Sequence, residues 1–169
     1  MAAAGPVVSV IRYGRAARRF LLRAKFGGHP ELFGPMGRMV TAAVRLRGIR
    51  PSCVVPVPSH PFDTWARGFT PGLEIARTVA AALGLPVRRH LVRRWAPRAS
   101  MKRLDRASRK SLSVRAFRPV EPVRGETVLV VDDLLTTGST LSACIAVCAA
   151  QGASEIHAAV WAKAPSFFN

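Results

Sequence analysis

The spacing of apolar residues predicts two helices in the first third of the chain. From Ile11 to Phe26 apolar residues recur every third or fourth position, at 13, 16, 17, 20, 21 and 24. The remaining positions of this segment are mostly Arg and Lys, so the predicted helix has one apolar and one basic face. A second helix is predicted over residues 31–46, and residues 1–9 are predicted to be a loose terminus.

Short apolar runs alternate with further helices in the rest of the chain. The helix after Thr70 has a typical start, because Thr70 can cap it and Pro71 suits the first helical position. The predicted strands lie at 53–58, 86–92, 127–131 and 156–161, and the predicted helices at 71–83 and 140–151. Strands that alternate with helices predict an α/β fold with a mostly parallel, doubly wound sheet in a single domain.

Charge adds information about partners. The chain has 169 residues, 26 Lys and Arg against nine Asp and Glu, and a formal net charge of +17. Such an excess suits an anionic partner, namely nucleic acid, an acidic membrane surface or a phosphate-rich substrate, and does not choose among them. A solvated basic surface explains the charge as well.

Three cysteines and the lack of long apolar runs narrow the class of protein. The cysteines form no CxxC pair, which argues against a disulfide framework or a cysteine zinc site. No run of about 18 apolar residues is present, and the start lacks a signal-peptide pattern. We therefore expect a cytoplasmic protein without a membrane partner, and the sequence gives no prediction of oligomeric state.

The stretch VLVVDDLLTTGST, residues 128–140, carries the chemistry. Its apolar run predicts a buried parallel strand, and ligands of such sheets bind beyond the carboxyl ends of strands. We expect Asp132 and Asp133 to lie there and to bind hydroxyl groups or a metal. The loop that follows combines glycine, hydroxyl groups and a helix start, which is typical of a phosphate site. Its residues are Thr136, Thr137, Gly138, Ser139 and Thr140. A sugar phosphate offers both features on one molecule.

Three other interpretations of this stretch are weaker. A receiver domain has its aspartates near its beginning, whereas only 36 residues follow Asp133 and Glu155 is the only acid among them. A Walker B strand needs a GxxxxGK[ST] loop, which the chain lacks. Aspartates that merely cap a helix would need one acid rather than two acids and four hydroxyl residues.

These residues closely resemble the signature of type I phosphoribosyltransferases, and the rest of the chain is similar to the ComF-type branch associated with competence and DNA uptake. VVPVPSHP followed by Arg67-Gly68-Phe69 resembles the pyrophosphate side of that family. The segment from Leu104 through Arg109 to Phe117 resembles its basic loop, and Tyr13 with Lys25-Phe26 resembles an N-terminal hood. The resemblance covers residues 11–162 and divides the domain into a hood with the first helices (11–50), a core (51–162) and a flexible basic loop (94–118).

The resemblance implies a transferase that binds 5-phosphoribosyl 1-diphosphate with Mg²⁺ and transfers phosphoribosyl to an acceptor, releasing pyrophosphate. Asp132 and Asp133 would hold the ribose hydroxyls, with Asp133 as the catalytic candidate, and residues 136–140 would hold the 5-phosphate. The pyrophosphate side would comprise Pro58, Ser59, His60, Arg67 and Arg109. No protein-held metal site is expected, and the metal would arrive with the substrate.

The chain departs from the ComF pattern in ways that bear on the acceptor. The family usually begins with a cysteine-rich zinc ribbon, which this sequence lacks, and Met101, Leu112 and Thr70-Pro71 replace amide residues of the family. Residues 88–118 contain 12 Lys or Arg and one acid, which fits either a lid over pyrophosphate or a solvated basic hairpin. A non-catalytic sensor of the same ligand and a single-strand DNA accessory therefore stay open as alternatives, with nucleic acid as a second partner.

Overall fold

A computed structural model describes residues 3–88, 92–94, 117–120 and 122–165. The strands are β1 (Ala3–Ala4), β2 (Val8–Arg12), β3 (Cys53–Pro56), β4 (Val92–Arg94), β5 (Phe117–Pro119), β6 (Thr127–Leu135) and β7 (Glu155–Lys163). The helices are α1 (Arg15–Phe26), α2 (Phe33–Leu46), α3 (Pro61–Arg67), α4 (Pro71–Leu83) and α5 (Ser139–Ala150), with a 3₁₀ turn at Pro30–Leu32. None of the helices in these described ranges is long and apolar enough to cross a membrane.

The central sheet is parallel throughout and has five strands. Its order is β3-β6-β7, and β7 then pairs on its other edge with both β1 and β2. β4 and β5 form a separate antiparallel pair. The structure thus confirms the predicted α/β fold and mostly parallel sheet.

Helices cover both faces of the sheet, as the unbroken apolar runs of its strands require. On one face α1, α2 and α4 bury a cluster that includes Phe33, Met36, Ile75 and Leu129. On the other face α5 packs Cys144 and Cys148 against Val128 and Val130. Residues 128–131 are fully buried, which is the signature of a central strand covered on both sides.

The predicted loose terminus and the start of the first helix are wrong. Residues Val8–Arg12 form β2, which pairs with β7, and the helix begins only at Arg15, after Gly14. The segment is rich in β-branched residues that suit a strand, but only its pairing with a strand about 150 residues later reveals this. The first residues of the predicted helix, 11–14, are therefore not helical, because pairing with β7 makes Ile11 and Arg12 part of a strand.

Two other elements differ from the predictions. The predicted strand at 86–92 is reduced, in the described residues, to a single bridge of Val87 to Val54, and Val92–Arg94 pairs antiparallel with β5 instead. Helix α3 is absent from the predictions, because seven residues between two prolines are too few to show a helical period. Most of the basic segment 94–118, including Arg109, lies outside the described residues.

Candidate active site

The strands end at different positions along the carboxyl edge of the sheet, and the two aspartates lie where β6 extends past β3. β3 ends at Pro56 opposite Val131, whereas β6 continues beside β7 to Leu135. Asp132 and Asp133 therefore lie inside β6, near its carboxyl end, rather than beyond a strand that stops at residue 131 as predicted. Because β3 no longer covers that side of β6, their surroundings open toward the loops of the same edge.

Asp133 is paired with a cation from the N-terminal part of the chain. Asp133 is 6% exposed, and Lys25 Nζ on α1 lies 2.5 Å from Asp133 Oδ2. The approach is poorly directed for a hydrogen bond, so the contact is an ion pair. A buried carboxylate needs such a partner, because removing one member of a buried pair leaves an uncompensated charge that costs roughly 3–5 kcal/mol.

Asp132 has a different environment, because neighbouring side chains on a strand point to opposite faces. It is partly buried, and its Oδ1 accepts a hydrogen bond of 2.9 Å from the backbone N–H of Asp133. Burial, and then the adjacent charge of Asp133, raise the pKa of Asp132 well above its ordinary value. The pair therefore combines a compensated carboxylate with a carboxyl group that favours its proton, and the two can accept and donate differently to a sugar hydroxyl.

The loop after β6 has the form of an anion site. Gly138 has φ +71° and ψ −5°, a left-handed conformation that glycine adopts without strain, and it is the residue from which α5 begins. Its carbonyl accepts the first helical hydrogen bond, 2.8 Å from Ser142 N. No side chain of the described residues caps α5, and the hydroxyl oxygens of Thr137 and Ser139 lie 3.0 Å apart beside its start. Uncapped N–H groups and neighbouring hydroxyls suit a phosphate.

A second loop, residues 57–70, reaches the same edge from β3. The turn Pro58-Ser59-His60 leads into α3, which His60 caps by accepting a hydrogen bond of 3.2 Å from Phe62 N at its Nδ1. The Nε2 of His60 and the Nε of Arg67 are both buried and have no hydrogen-bond partner in the described residues. Since buried N–H donors are normally satisfied, these two nitrogens suit an anionic ligand.

Two consecutive residues of α1 contact the end of β6 and the loop after β3. Lys25 pairs with Asp133, and Phe26 lies under the guanidinium of Arg67, with 5.7 Å between Arg67 Cζ and the ring centroid. Sequence reasoning used Lys25-Phe26 only as a mark of the hood and did not assign either residue to the site. The sequence signal for these two residues is a lysine at the end of an amphipathic helix. It is followed by Phe26, an aromatic residue that lies outside the predicted apolar positions.

Gly72 allows the start of α4 to pack closely against the backbone at Val57 and Val131. A Cβ at this position would meet the carbonyl oxygen of Val57 at 2.9 Å and that of Val131 at 3.4 Å. Val57 N in turn donates to Val131 O at 2.9 Å, which continues the β3–β6 ladder by one residue. The first turn of α4 is therefore held against the strand ends between the two loops.

The aspartate pair is the part of the described site that could contact a metal ion together with phosphates of a ligand. No group of three or more His, Cys, Asp or Glu in the described ranges is arranged to hold a metal ion. Mg²⁺ is commonly bound through one or two carboxylates together with substrate phosphates, which fits an edge with a single aspartate pair. Burial raises the pKa of the Cys53 and Cys148 thiols to about 12, which favours their protonated form at neutral pH.

The fold is that of an α/β protein with a parallel sheet, and an acidic strand end, a glycine turn and a helix start lie at its carboxyl edge. Residues 70–166, which are more than half of the chain, match the phosphoribosyl transferase domain family. The chain therefore belongs to that family. The match includes the aspartates and the loop after β6, but it begins after the turn and helix that contain His60 and Arg67.

Proteins named for DNA utilization are similar over most of the chain. The DNA utilization protein YhgH of Salmonella typhimurium is 29% identical over 160 residues, which cover 92% of this chain and 70% of that protein. YhgH of Escherichia coli K12 is 27% identical with the same coverage.

Similarity to solved structures bears on the fold alone. TT1426 from Thermus thermophilus has a TM-score of 0.50 and 19% identity, and the match covers 81% of this chain and 85% of that one. A purine phosphoribosyltransferase from Pyrococcus horikoshii Ot3 has a TM-score of 0.48 and 20% identity over 92% of this chain and 78% of that one.

Proposed function

We propose that the chain binds 5-phosphoribosyl 1-diphosphate with Mg²⁺ and transfers the phosphoribosyl group to an acceptor, with release of pyrophosphate, as a ComF-type member of its family. The observation that carries the proposal is that three groups lie at one edge: the pair Asp132 and Asp133, the helix start at Gly138, and the nitrogens of His60 and Arg67 that have no hydrogen-bond partner among the described residues. Each group suits one part of the ligand.

In this assignment the loop 136–140 holds the 5-phosphate, because backbone N–H groups at the start of α5 favour negative charge. Asp132 and Asp133 accept hydrogen bonds from the ribose hydroxyls. Arg67, His60 and the turn Pro58-Ser59 face the diphosphate, and Arg109 is assigned to the same side by its position in the family pattern.

Transfer breaks the bond between the anomeric carbon and the diphosphate oxygen and forms a bond from that carbon to the acceptor. The sugar becomes cation-like as the diphosphate leaves, so negative charge near the ribose and positive charge near the diphosphate both lower the barrier. We assign Asp133 to the first purpose and Arg67 to the second. The acceptor proton passes to Asp133 or to solvent. Mg²⁺, when bound with the substrate, neutralises charge on the leaving group.

The Lys25–Asp133 ion pair favours a second form of the same proposal, in which the chain senses the ligand without transferring it. Asp133 is already compensated by Lys25, so ligand binding would have to share or replace that contact. Titration calorimetry with and without Mg²⁺ tests binding, and release of pyrophosphate across a panel of nucleophilic acceptors tests transfer. Binding without release supports the sensor, and lack of binding refutes both forms.

A role with DNA is the second candidate function. It is supported by the net charge of +17 and by similarity to proteins named for DNA utilization. Phosphate contacts by Lys and Arg make such binding strongly salt-dependent. Binding to DNA that is as strong at high salt as at low salt, or not detectable at low salt, would argue against it.

A further inference from the structure

Helix α3 buries none of its seven residues, yet it carries two large aromatic side chains. Trp65 is 80% exposed and Phe62 is 60% exposed, and their ring centroids lie 6.1 Å apart at an angle of 39°. Exposed aromatic groups that neither fill a core nor cap a helix commonly mark an interaction site. The pair is not needed for the sugar-phosphate assignment, which uses only the two ends of the helix.

The basic face of α1 reaches the last residue of this helix. Among its 12 residues α1 has no acid, and its arginines at 15, 18, 19 and 23 are exposed. Arg19, Arg23 and Phe26 follow one another at spacings of four and three, so they share one side of the helix. Phe26 is 68% exposed and contacts Arg67, the last residue of α3. The arginine row of α1 therefore leads directly to α3.

We propose that these two elements form one surface for single-stranded DNA, in which Phe62 and Trp65 stack on unpaired bases and arginines of α1 contact the phosphates. A positive track combined with aromatic platforms is the usual means of binding single strands without sequence preference. The proposal gives the DNA-linked role a location and a strand type, rests on that role, and does not depend on phosphoribosyl transfer.

Two features favour a single strand over other anionic partners. Only unpaired bases offer faces on which Phe62 and Trp65 can stack, whereas a duplex offers mainly phosphates. An acidic membrane would engage the apolar face of an amphipathic helix, but the apolar face of α1 is buried through Ala17, Leu21 and Ala24.

The test is fluorescence anisotropy with a labelled oligothymidine of about 16 nucleotides, which has no competing base pairing. Trp65→Ala and Phe62→Ala should each weaken binding by roughly 5- to 150-fold, and Trp65→Phe should restore most of the affinity. The control is Leu46→Ala, since Leu46 is 87% exposed at the end of α2, next to the end of α4 and hence on the opposite edge. It should change nothing.

Salt dependence separates the two halves of the surface. The aromatic variants should keep the wild-type slope of log affinity against log salt, because a ring releases no counterions. Arg19→Gln should make the slope shallower by about 0.7, the value for one phosphate contact on a single strand. Arg77→Gln on α4, an exposed arginine paired with Glu74, is its control.

Each outcome decides a different claim. Wild-type affinity for oligothymidine in both Trp65→Ala and Phe62→Ala would overturn the surface while leaving a DNA-linked role. Equal affinity for a duplex, or stronger binding to anionic vesicles, would overturn the choice of a single strand. No binding at low salt would overturn this surface and the DNA-linked role together. Binding of 5-phosphoribosyl 1-diphosphate, measured in parallel on the wild type, tests the transferase proposal separately.

Discussion

The two loops at the carboxyl edge differ in how they are built. The loop after β6 is local, because the end of its strand, the glycine turn and the start of its helix follow one another directly along the chain. The loop after β3 is longer, contains α3, and is held from outside by Phe26 against Arg67 and by Phe33 against Phe69. One short stretch can therefore encode an anion site, whereas the opposite side of that site depends on distant segments.

The largest effect is expected where α1 is paired with the end of β6, at Lys25. Lys25→Met removes the partner of a buried carboxylate, and it should lower the free energy of unfolding by about 3 kcal/mol at neutral pH. Urea denaturation measures this loss. The double variant Lys25→Met with Asp133→Asn should recover most of it, because no buried charge is then left alone. A loss below about 0.5 kcal/mol in the single variant would show that α1 does not support the site.

The local loop is tested by Gly138→Val. A β-branched residue is strained at φ +71°, and the change should distort the uncapped start of α5. Loss of charged hydrogen bonds to a phosphate should weaken ribose 5-phosphate binding by about 100-fold, at roughly 1.5–3 kcal/mol for each bond. Titration calorimetry measures this.

Gly125→Val is a matched control for backbone strain. Gly125 has φ +76° but lies before β6, at the opposite edge of the sheet, and a Cβ there meets no atom within 4 Å. It should lower stability by a similar amount and leave ribose 5-phosphate binding unchanged. If Gly138→Val in a folded protein also leaves phosphate binding unchanged, the loop is only a strand–helix connection.

The same contrast explains what the sequence can predict. The strand at 128–131 and the helix start after Gly138 are encoded by neighbouring residues, so hydrophobic pattern and turn chemistry are sufficient to predict them, although β6 continues through the aspartate pair to Leu135. The strand Val8–Arg12 and the pairing of Lys25 with Asp133 depend on residues more than 100 positions apart. The spacing of apolar residues within a window of a dozen positions contains no information on such contacts. Helix α3 has seven residues and is too short for a helical period to be recognised.

The distant side of the site is tested by Arg67→Ala. If Arg67 faces the diphosphate, its removal should weaken binding of 5-phosphoribosyl 1-diphosphate by about 10- to 100-fold, the value of one charged hydrogen bond. Binding of ribose 5-phosphate, which lacks the diphosphate, should stay within about twofold. Arg77→Ala, a surface arginine of α4, is the control and should affect neither ligand. Equal losses for both ligands would place Arg67 on the sugar side or show that it only supports α3.

The smallest expected effect concerns Asp132 and is visible in the pH dependence of stability. Burial, followed by the charge of Asp133, raises the pKa of Asp132 well above 3.8. The folded protein then binds this proton more tightly than the unfolded chain does, so stability should fall as pH rises from about 4 through the raised pKa.

Asp132→Asn keeps the oxygen that accepts from Asp133 N and removes the titration. The variant should therefore have a flatter profile above about pH 4 and be more stable at neutral pH, by up to ~1 kcal/mol for each unit of raised pKa. Urea denaturation at a series of pH values gives both slopes, and Glu74→Gln on the surface of α4 should change stability by less than about 0.5 kcal/mol. A wild-type profile in Asp132→Asn would mean that the destabilising charge of the pair does not reside on Asp132, and the assignment of the raised pKa to Asp132 would be wrong.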